Sequence, residues 1–366
     1  MKAITVVPGD PESLQLDEMA DPEPGPGELL VEMVVAGICG TDYEILEGDL
    51  GYPAPGRDRL VLGHEALGRV LTAPPGSGFA PGDLVAPIVR RPDPVPCANC
   101  AVGEWDMCRN GRFTEAGIRG LDGYTAEKLP LPVEFAVKVS SDLGHFGVLV
   151  EPASVVAKAW EHIIHLGSRG QWEPERVLVT GAGPIGLLAT FFATRLGGEV
   201  HVLDRARDGP KPDLVRQLGA VYHQDGPESV GEEYDVVVEC TGDADLMVAV
   251  AGVTKPNGMV CLAGVTDEGH QVTVTSDIAR DMVLENRVVF GTVNANRRHY
   301  EEAARVLAQA DGSWLGRLVN RRVSLDDWKE AYARQPDDVK TVIDFLPPQG
   351  GVPAKPGRGD SSDAAA

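Results

Sequence analysis

The tightest constraint on this chain is a six-residue turn, Gly181-Ala182-Gly183-Pro184-Ile185-Gly186. It joins an apolar strand-like run, RVLVTGAG (176–183), to a helical one, IGLLATFFATRLG (185–197). A GxGxxG pattern has weight only from such neighbours, because turn glycines alone produce it often. The first glycine permits the tight turn, the second lets backbone amides approach a pyrophosphate, and the third lets helix and strand pack closely. The helix N-terminus adds positive potential. A second strand, EVHVLDR (199–205), carries Asp204 18 residues after Gly186, where a carboxylate would bind ribose hydroxyls. The pattern predicts a dinucleotide site built on Gly181, Gly183, Pro184, Ile185, Gly186 and Asp204. Asp204 favours NAD. Arg205, Arg207 and Lys211 follow and could accommodate the 2′-phosphate of NADP, or they are solvated or paired with Asp208 and Asp213.

Beyond the turn, strands and helices alternate. DLVRQLGA (213–220) reads as helix, YDVVVECTG (234–242) as strand, 243–254 as helix, GMVCLAGV (258–265) and RVVFGTVNAN (287–296) as strands, and HYEEAARVLAQA (299–310) as helix. Strands separated by helices predict a parallel, doubly wound Rossmann sheet with right-handed crossovers. Residues 1–150 differ: Gly and Pro punctuate short strands such as LLVEMVVAGI (29–38) and HEALGRVLTA (64–73), which predicts an irregular β domain with long loops. EPASVVAKAWEHIIHL (151–166) is a helix that opens on a carboxylate and a proline, both favourable in a first turn. DVKTVIDF (338–345) is a strand expected to return to the first domain. The expected fold is therefore α/β, with residues 1–155 and 295–346 in one domain, 156–294 in the Rossmann domain, and the polar 347–366 a disordered tail.

The formal charge is −22, from 55 acidic and 33 basic residues. That balance argues against a nucleic-acid backbone or an anionic membrane as partner. No apolar run reaches transmembrane length, and MKAITVVPGD reads as a first strand rather than a signal peptide, so a cytoplasmic location is expected. The 24 Arg against 9 Lys suit a salt-rich environment, although a GC-rich genome would also produce much of that bias. Of six cysteines, Cys97, Cys100 and Cys108 crowd into twelve residues, which points to metal rather than disulfides. Cys240 and Cys261 sit in Rossmann strands and read as small core residues.

Cys39-Gly40-Thr41-Asp42 follows an apolar strand and Gly63-His64-Glu65 follows a short apolar pair, Val61-Leu62. With Gly63-His64-Glu65-Ala66-Leu67-Gly68, Pro81-Gly82-Asp83-Leu84-Val85 and the Rossmann half, residues 1–345 resemble the zinc-dependent medium-chain dehydrogenase/reductase family, whose first domain is GroES-like. The resemblance implies a catalytic zinc at Cys39, His64, Glu65 and Glu151. Thiolate, imidazole and carboxylate around one open position make a Lewis-acid site rather than a closed structural one. The alcohol dehydrogenase branch has a cysteine where this chain has Glu151, in the Glu-Pro pair expected of polyol and sugar dehydrogenases. Cys97, Cys100 and Cys108 resemble three of the four ligands of the family's structural zinc lobe. The fourth position falls on Pro94, which cannot bind metal, and Asp93 is the expected substitute.

Phe113-Thr-Glu-Ala-Gly-Ile-Arg-Gly-Leu-Asp-Gly-Tyr124, Val89-Arg90-Arg91-Pro92 and Gly291-Thr-Val-Asn-Ala-Asn-Arg-Arg-His299-Tyr300 are similar to segments of archaeal-type glucose dehydrogenases. By that resemblance Glu115, Thr41, Glu151 and His299 bind the sugar, Thr41 and Glu65 serve catalysis, and Arg205, Lys211, Gly264, Val265, Thr292, Val293 and Asn294 join the cofactor site. Alternatives are that Glu115 only pairs with Arg112 or Arg119, and that His299 is a surface residue at a helix start. The alcohol-type relay histidine is replaced by Glu44. The implied activity is oxidation of an aldose at C1, D-glucose to D-glucono-1,5-lactone, with hydride passing to NAD(P)+. A sorbitol- or threonine-type dehydrogenase and a non-catalytic nucleotide-binding protein are the alternatives. Homodimers or homotetramers are implied, through a Rossmann edge strand for which Gly258–Val265 is the candidate.

Overall fold

A computed structural model describes residues 1–346 except Glu232, Asp267 and Glu268. The expected disordered tail, 347–366, lies outside the described residues.

The alternating half forms a six-stranded sheet in the order Val221–His223, Glu199–Leu203, Arg176–Thr180, Tyr234–Glu239, Thr254–Leu262, Val288–Gly291, with every neighbouring pair parallel. Strand order reverses beside Arg176–Thr180, the switch point at which such sheets bind ligands outside their carboxyl ends. Val177, Val179, Val200, Val202, Val236 and Val238 are buried along these strands. Near-continuous β-branched runs suit strands covered on both faces. Thr254–Leu262 lies inside the sheet, so the expected edge at Gly258–Val265 is corrected: RVVFG adds as a further parallel strand, and Val288–Gly291 is the edge.

The other half centres on a mixed sheet in which Glu28–Gly37 is flanked by Glu65–Thr72 and Thr341–Asp344. The closing strand does return, Val342 pairing with Gly37 and Asp344 with Val35. A three-stranded sheet of Asp10–Glu18, Lys2–Val7 and Leu60–Val61 completes this half beside a small sheet of Arg90–Arg91, Thr114–Ala116 and Gly120–Leu121. The helix Val150–Gly167 runs between the halves and packs on both Pro184–Thr194 and Arg297–Leu307.

Three helices escaped the sequence pattern. Gly40–Glu47 is one, and its mixed face carries little periodicity. Ser276–Leu284 buries none of its residues, so no apolar stripe marks it. Gly312–Leu318 is two turns long.

A candidate active site between a metal centre and a dinucleotide crevice

Cys39 ends the loop after Glu28–Gly37 and caps the helix Gly40–Glu47, its backbone N–H donating to Asp42 Oδ2 at 2.8 Å. His64 and Glu65 open the neighbouring strand, Glu65 pairing with Gly37. Adjacent antiparallel strands thus bring the two sequence-distant motifs together: ligand atoms of Cys39, His64 and Glu65 lie within 4.8 Å of one another. His64 and Glu65 are buried. Asp42 Oδ1 and His64 Nδ1 are buried without a hydrogen-bond partner. Burial alone would depress the His64 imidazole, but the Cys39 thiol, Asp42 and Glu151 outweigh it and hold it well above its usual range. A buried, net-negative group of soft and borderline donors with orphaned polar atoms fits a zinc ion.

Glu151 stands in the first turn of Val150–Gly167, as expected, and is buried. It is not one of the three tightly grouped donors. Burial, reinforced by Glu65 and Glu115 and opposed by His64 and Lys340, pushes its carboxyl up to about 7. Thr41 occupies the same helix start as Cys39 and is half-buried.

Sequence reasoning missed Lys340. Its Nζ forms an ion pair with Glu65 and donates to Ile38 O at 2.9 Å, and both side chains are 2% exposed. Gly37 makes the room, since a Cβ there would meet Glu65 Oε2 at 2.2 Å and Lys340 Cε at 3.0 Å. The one signal was a lysine inside the apolar run VKTVID.

Cys97, Cys100 and Cys108 form a second group within 4.8 Å: Cys100 opens the 3-10 turn Cys100–Val102 and Cys108 follows the turn Trp105–Met107. The Cys97–Cys100 sulfur separation is 3.7 Å, and tetrahedral zinc with Zn–S bonds of about 2.3 Å sets its sulfurs about 3.8 Å apart. The Arg109 and Cys100 amides bring the Cys97 thiol down to about 6, ready to ligate. Three converging thiols fit a metal. Asp93, expected as the fourth ligand, does not join them. Its oxygens accept from Val95 N at 2.8 Å, Asn110 Nδ2 at 2.8 Å and Arg112 Nε at 3.2 Å, which turns the carboxylate to the loop's own backbone and cations.

Glu115, on Thr114–Ala116, is held by Arg90 rather than by Arg112 or Arg119. Arg90 donates through Nε at 3.0 Å and Nη2 at 2.9 Å to Oε1, and Asn294 Nδ2 donates to the same oxygen at 2.9 Å. For His299 the surface alternative is corrected: it is 1% exposed. Its ring is engaged within the protein, Nδ1 accepting from Asn296 N at 3.1 Å within its own helix cap and Nε2 lying 3.3 Å from Glu161.

In the Rossmann half a cavity of about 660 Å³ opens at the carboxyl ends of the strands, with Gly181, Gly183, Asp204, Arg205 and Val265 in its wall. Gly181 has φ +87°, the left-handed region, and a Cβ on Gly186 would meet Gly181 O at 1.8 Å. At Gly183 a Cβ would meet nothing within 4 Å of the protein, so space is kept there for something outside the chain. Asp204 does double duty: Oδ2 accepts from Ala182 N at 2.7 Å and Oδ1 from Ala206 N at 2.9 Å. Lys211, Thr292, Val293 and Asn294 are absent from this wall, whereas Thr241, Gly242, Asp243 and Leu246 belong to it. Cys240 also lines it, being one residue past the strand end, and only Cys261 is a core cysteine as expected. Among the described residues Arg205 and Lys211 have no carboxylate within ion-pair distance; Arg207 faces Asp225 at 3.8 Å, and Asp213 pairs with Arg216 and Arg317.

Residues 144–345 match the glucose dehydrogenase C-terminus family and residues 25–141 the alcohol dehydrogenase GroES-like domain. The glucose 1-dehydrogenase 1 of Caldivirga maquilingensis is 41% identical over 353 residues, covering 95% of this chain and 99% of its own. The glucose 1-dehydrogenase 1 of Haloterrigena turkmenica is 37% identical over 365 residues, covering 94% and 99%. The structure of Haloferax mediterranei glucose dehydrogenase in complex with NADP, Zn and gluconolactone superposes with a TM-score of 0.89 at 32% identity, covering 95% of this chain and 100% of that one. With a GroES-like half that carries a Cys–His donor group and a Rossmann half, the chain belongs to the zinc-dependent medium-chain dehydrogenase/reductase family, in its glucose dehydrogenase branch.

Proposed function

We propose that the chain oxidises an aldose at C1, D-glucose to D-glucono-1,5-lactone, with hydride transfer to NAD(P)+. The observation that carries this is the Cys39, His64 and Glu65 group, its His and Glu buried, beside Glu151 in a chain that shares 41% identity with a glucose 1-dehydrogenase over nearly its whole length. Cys39 and His64 would hold the zinc, with Glu65 and Glu151 contributing negative charge; when bound, zinc supplies Lewis acidity that lowers the pKa of a ligated hydroxyl. Thr41 passes the proton outward. Glu115, with Oε1 taken by Arg90 and Asn294, offers its other oxygen to sugar hydroxyls. The two halves, residues 1–155 with 295–346 and residues 156–294, orient C1 against the nicotinamide in a water-poor cleft. His299 serves this site from behind, through the loop that precedes it.

Both dinucleotides fit. Asp204 disfavours a 2′-phosphate, but its oxygens are shared with two backbone amides, and Arg205 stands in the cavity wall without a carboxylate partner among the described residues. The Haloferax relative binds NADP. Six free thiols suit the reducing cytoplasm, and no helix of the described residues is long and apolar enough to cross a membrane. Homodimer or homotetramer formation is proposed through the edge strand Val288–Gly291, and Val274, Val283 and Leu284 of the chain before it are exposed.

Steady-state kinetics on glucose, galactose, xylose and sorbitol with each dinucleotide tests the activity. Glucose turnover is expected; turnover of sorbitol with none of either hexose would shift the assignment to the polyol reading that the Glu151-Pro152 pair also suits.

A further inference from the structure

Lys158 is a buried cation that the chemistry above leaves unused. It lies two turns beyond Glu151 on the same face of Val150–Gly167 and is 1% exposed. Its Nζ is 2.8 Å from Asp106 Oδ2 and donates to Val293 O at 3.0 Å. Asp106 comes from the three-cysteine lobe, on the turn Trp105–Met107, and its other oxygen accepts from Asn296 Nδ2 at 2.8 Å. Arg90 donates through Nη1 to the Asp106 backbone carbonyl at 3.1 Å while its other nitrogens grip Glu115. Asn294, in the left-handed region at φ +59°, closes the ring by donating to Glu115.

The segment Thr292–Asn296 is therefore pinned at Val293 by Lys158 of the helix between the halves, at Asn294 by Glu115 and at Asn296 by Asp106. It leaves the edge strand Val288–Gly291 at the carboxyl end of the sheet, the end that carries the glycine turn, with Thr292 N donating to Leu262 O at 2.9 Å. A buried ion pair is seldom more stabilising than an apolar pair of equal volume; what it adds is a fixed geometry.

We propose that Lys158 is a positioning residue for dinucleotide binding: with Asp106 it ties the cysteine lobe to the carbonyl of Val293 and so holds the loop 292–294 against the nicotinamide half of the cofactor. This rests on the reading of Thr292, Val293 and Asn294 as cofactor contacts. The ring also explains how the lobe serves a site it does not line. Its turn supplies the carboxylate that orients Lys158 and the carbonyl that orients Arg90, hence Glu115.

The test uses the zinc-loaded full chain and measures NADH and NADPH dissociation constants by fluorescence, without sugar, together with melting temperature. Lys158→Met should raise both dissociation constants about tenfold, because the loop 292–294, no longer held in the free protein, must be ordered on binding, and lower the melting temperature by stranding Asp106. The double variant Lys158→Met/Asp106→Asn removes the stranded charge. It should regain most of the melting temperature yet keep the weakened affinity, because Val293 O still lacks its donor. Recovery of both readouts together, or affinities within twofold of the parent in both variants, would show a purely structural pair and overturn the proposal. Absence of glucose turnover in the parent would sink the sugar assignment and leave these binding results standing.

Discussion

Replacing Lys340 by Met tests the electrostatics of the metal centre at its most exposed assumption, that one cation balances Glu65. Lys340 and Glu65 are each 2% exposed and in contact. Burial works against the ammonium, but Glu65 and then Cys39 outweigh it, so Lys340 stays charged. Methionine keeps the stem's volume and removes the charge, leaving Glu65 in a low-dielectric pocket near Cys39 and Asp42. Breaking a buried pair from one side costs about 3–5 kcal/mol, which corresponds to a fall of about 4–7 °C in melting temperature for a chain of this size. The measurement is calorimetry of the zinc-free protein. Two further arms separate charge from packing. Lys340→Met/Glu65→Gln should recover most of the loss, and added zinc should raise the melting temperature of Lys340→Met by more than it raises that of the parent, because the variant's Glu65 gains a counter-charge it otherwise lacks. If Lys340→Met melts within about 1 °C of the parent, or the double variant melts no higher than the single one, the account of a charge-balanced Glu65 is wrong.

The glycine turn offers a contrast between fold and function. Gly186→Ala drives a Cβ into Gly181 O and should lower the melting temperature, whereas Gly183→Val, with open space around it, should leave melting unchanged and weaken dinucleotide binding at least tenfold, about 1.4 kcal/mol, as read by fluorescence titration. Burial brings His299 down to about 4 from an ordinary 6.5, with Arg298 adding to the effect. A depressed imidazole adds stability that is present above pH 6.5 and is lost as pH falls toward 4, by up to about 3 kcal/mol. His299→Gln should therefore flatten the stability–pH curve across that window while both curves keep their shape above it. Cys100→Ser should remove one zinc per chain by atomic absorption while Cys39 and His64 retain the other; an unchanged zinc count would show that the three thiols do not hold metal.

Local chemistry was legible wherever a motif is contiguous. Gly181 to Gly186 states its own turn, because a positive φ and a helix packed onto a strand are demands on adjacent residues. Glu151 announced a helix start, and it occupies one. The three close cysteines converge because only a few residues separate them. Asp93 shows the limit even at short range: it stands one place from the ligand position that falls on Pro94, but Arg112 and Asn110 reached its oxygens from the far side of the loop.

What the chain's order could not state is which distant groups share a buried volume. Glu65 meets Lys340, 275 positions further along the sequence, only because the closing strand pairs with Glu28–Gly37. His299 lies in a segment that resembles sugar-binding loops, yet its ring is turned to Glu161 by its own helix cap. Cys240 reads as core by hydropathy and lines a crevice because its strand stops one residue earlier. The sequence alone thus determined the α/β class, the dinucleotide turn and the donor types, since each follows from local periodicity and residue chemistry. Charge pairing, side-chain direction and the ring around Lys158 were decided by tertiary structure, because an ionic group's partner is whatever the folded chain brings within about 4 Å, where the interaction is strong only after water has been excluded.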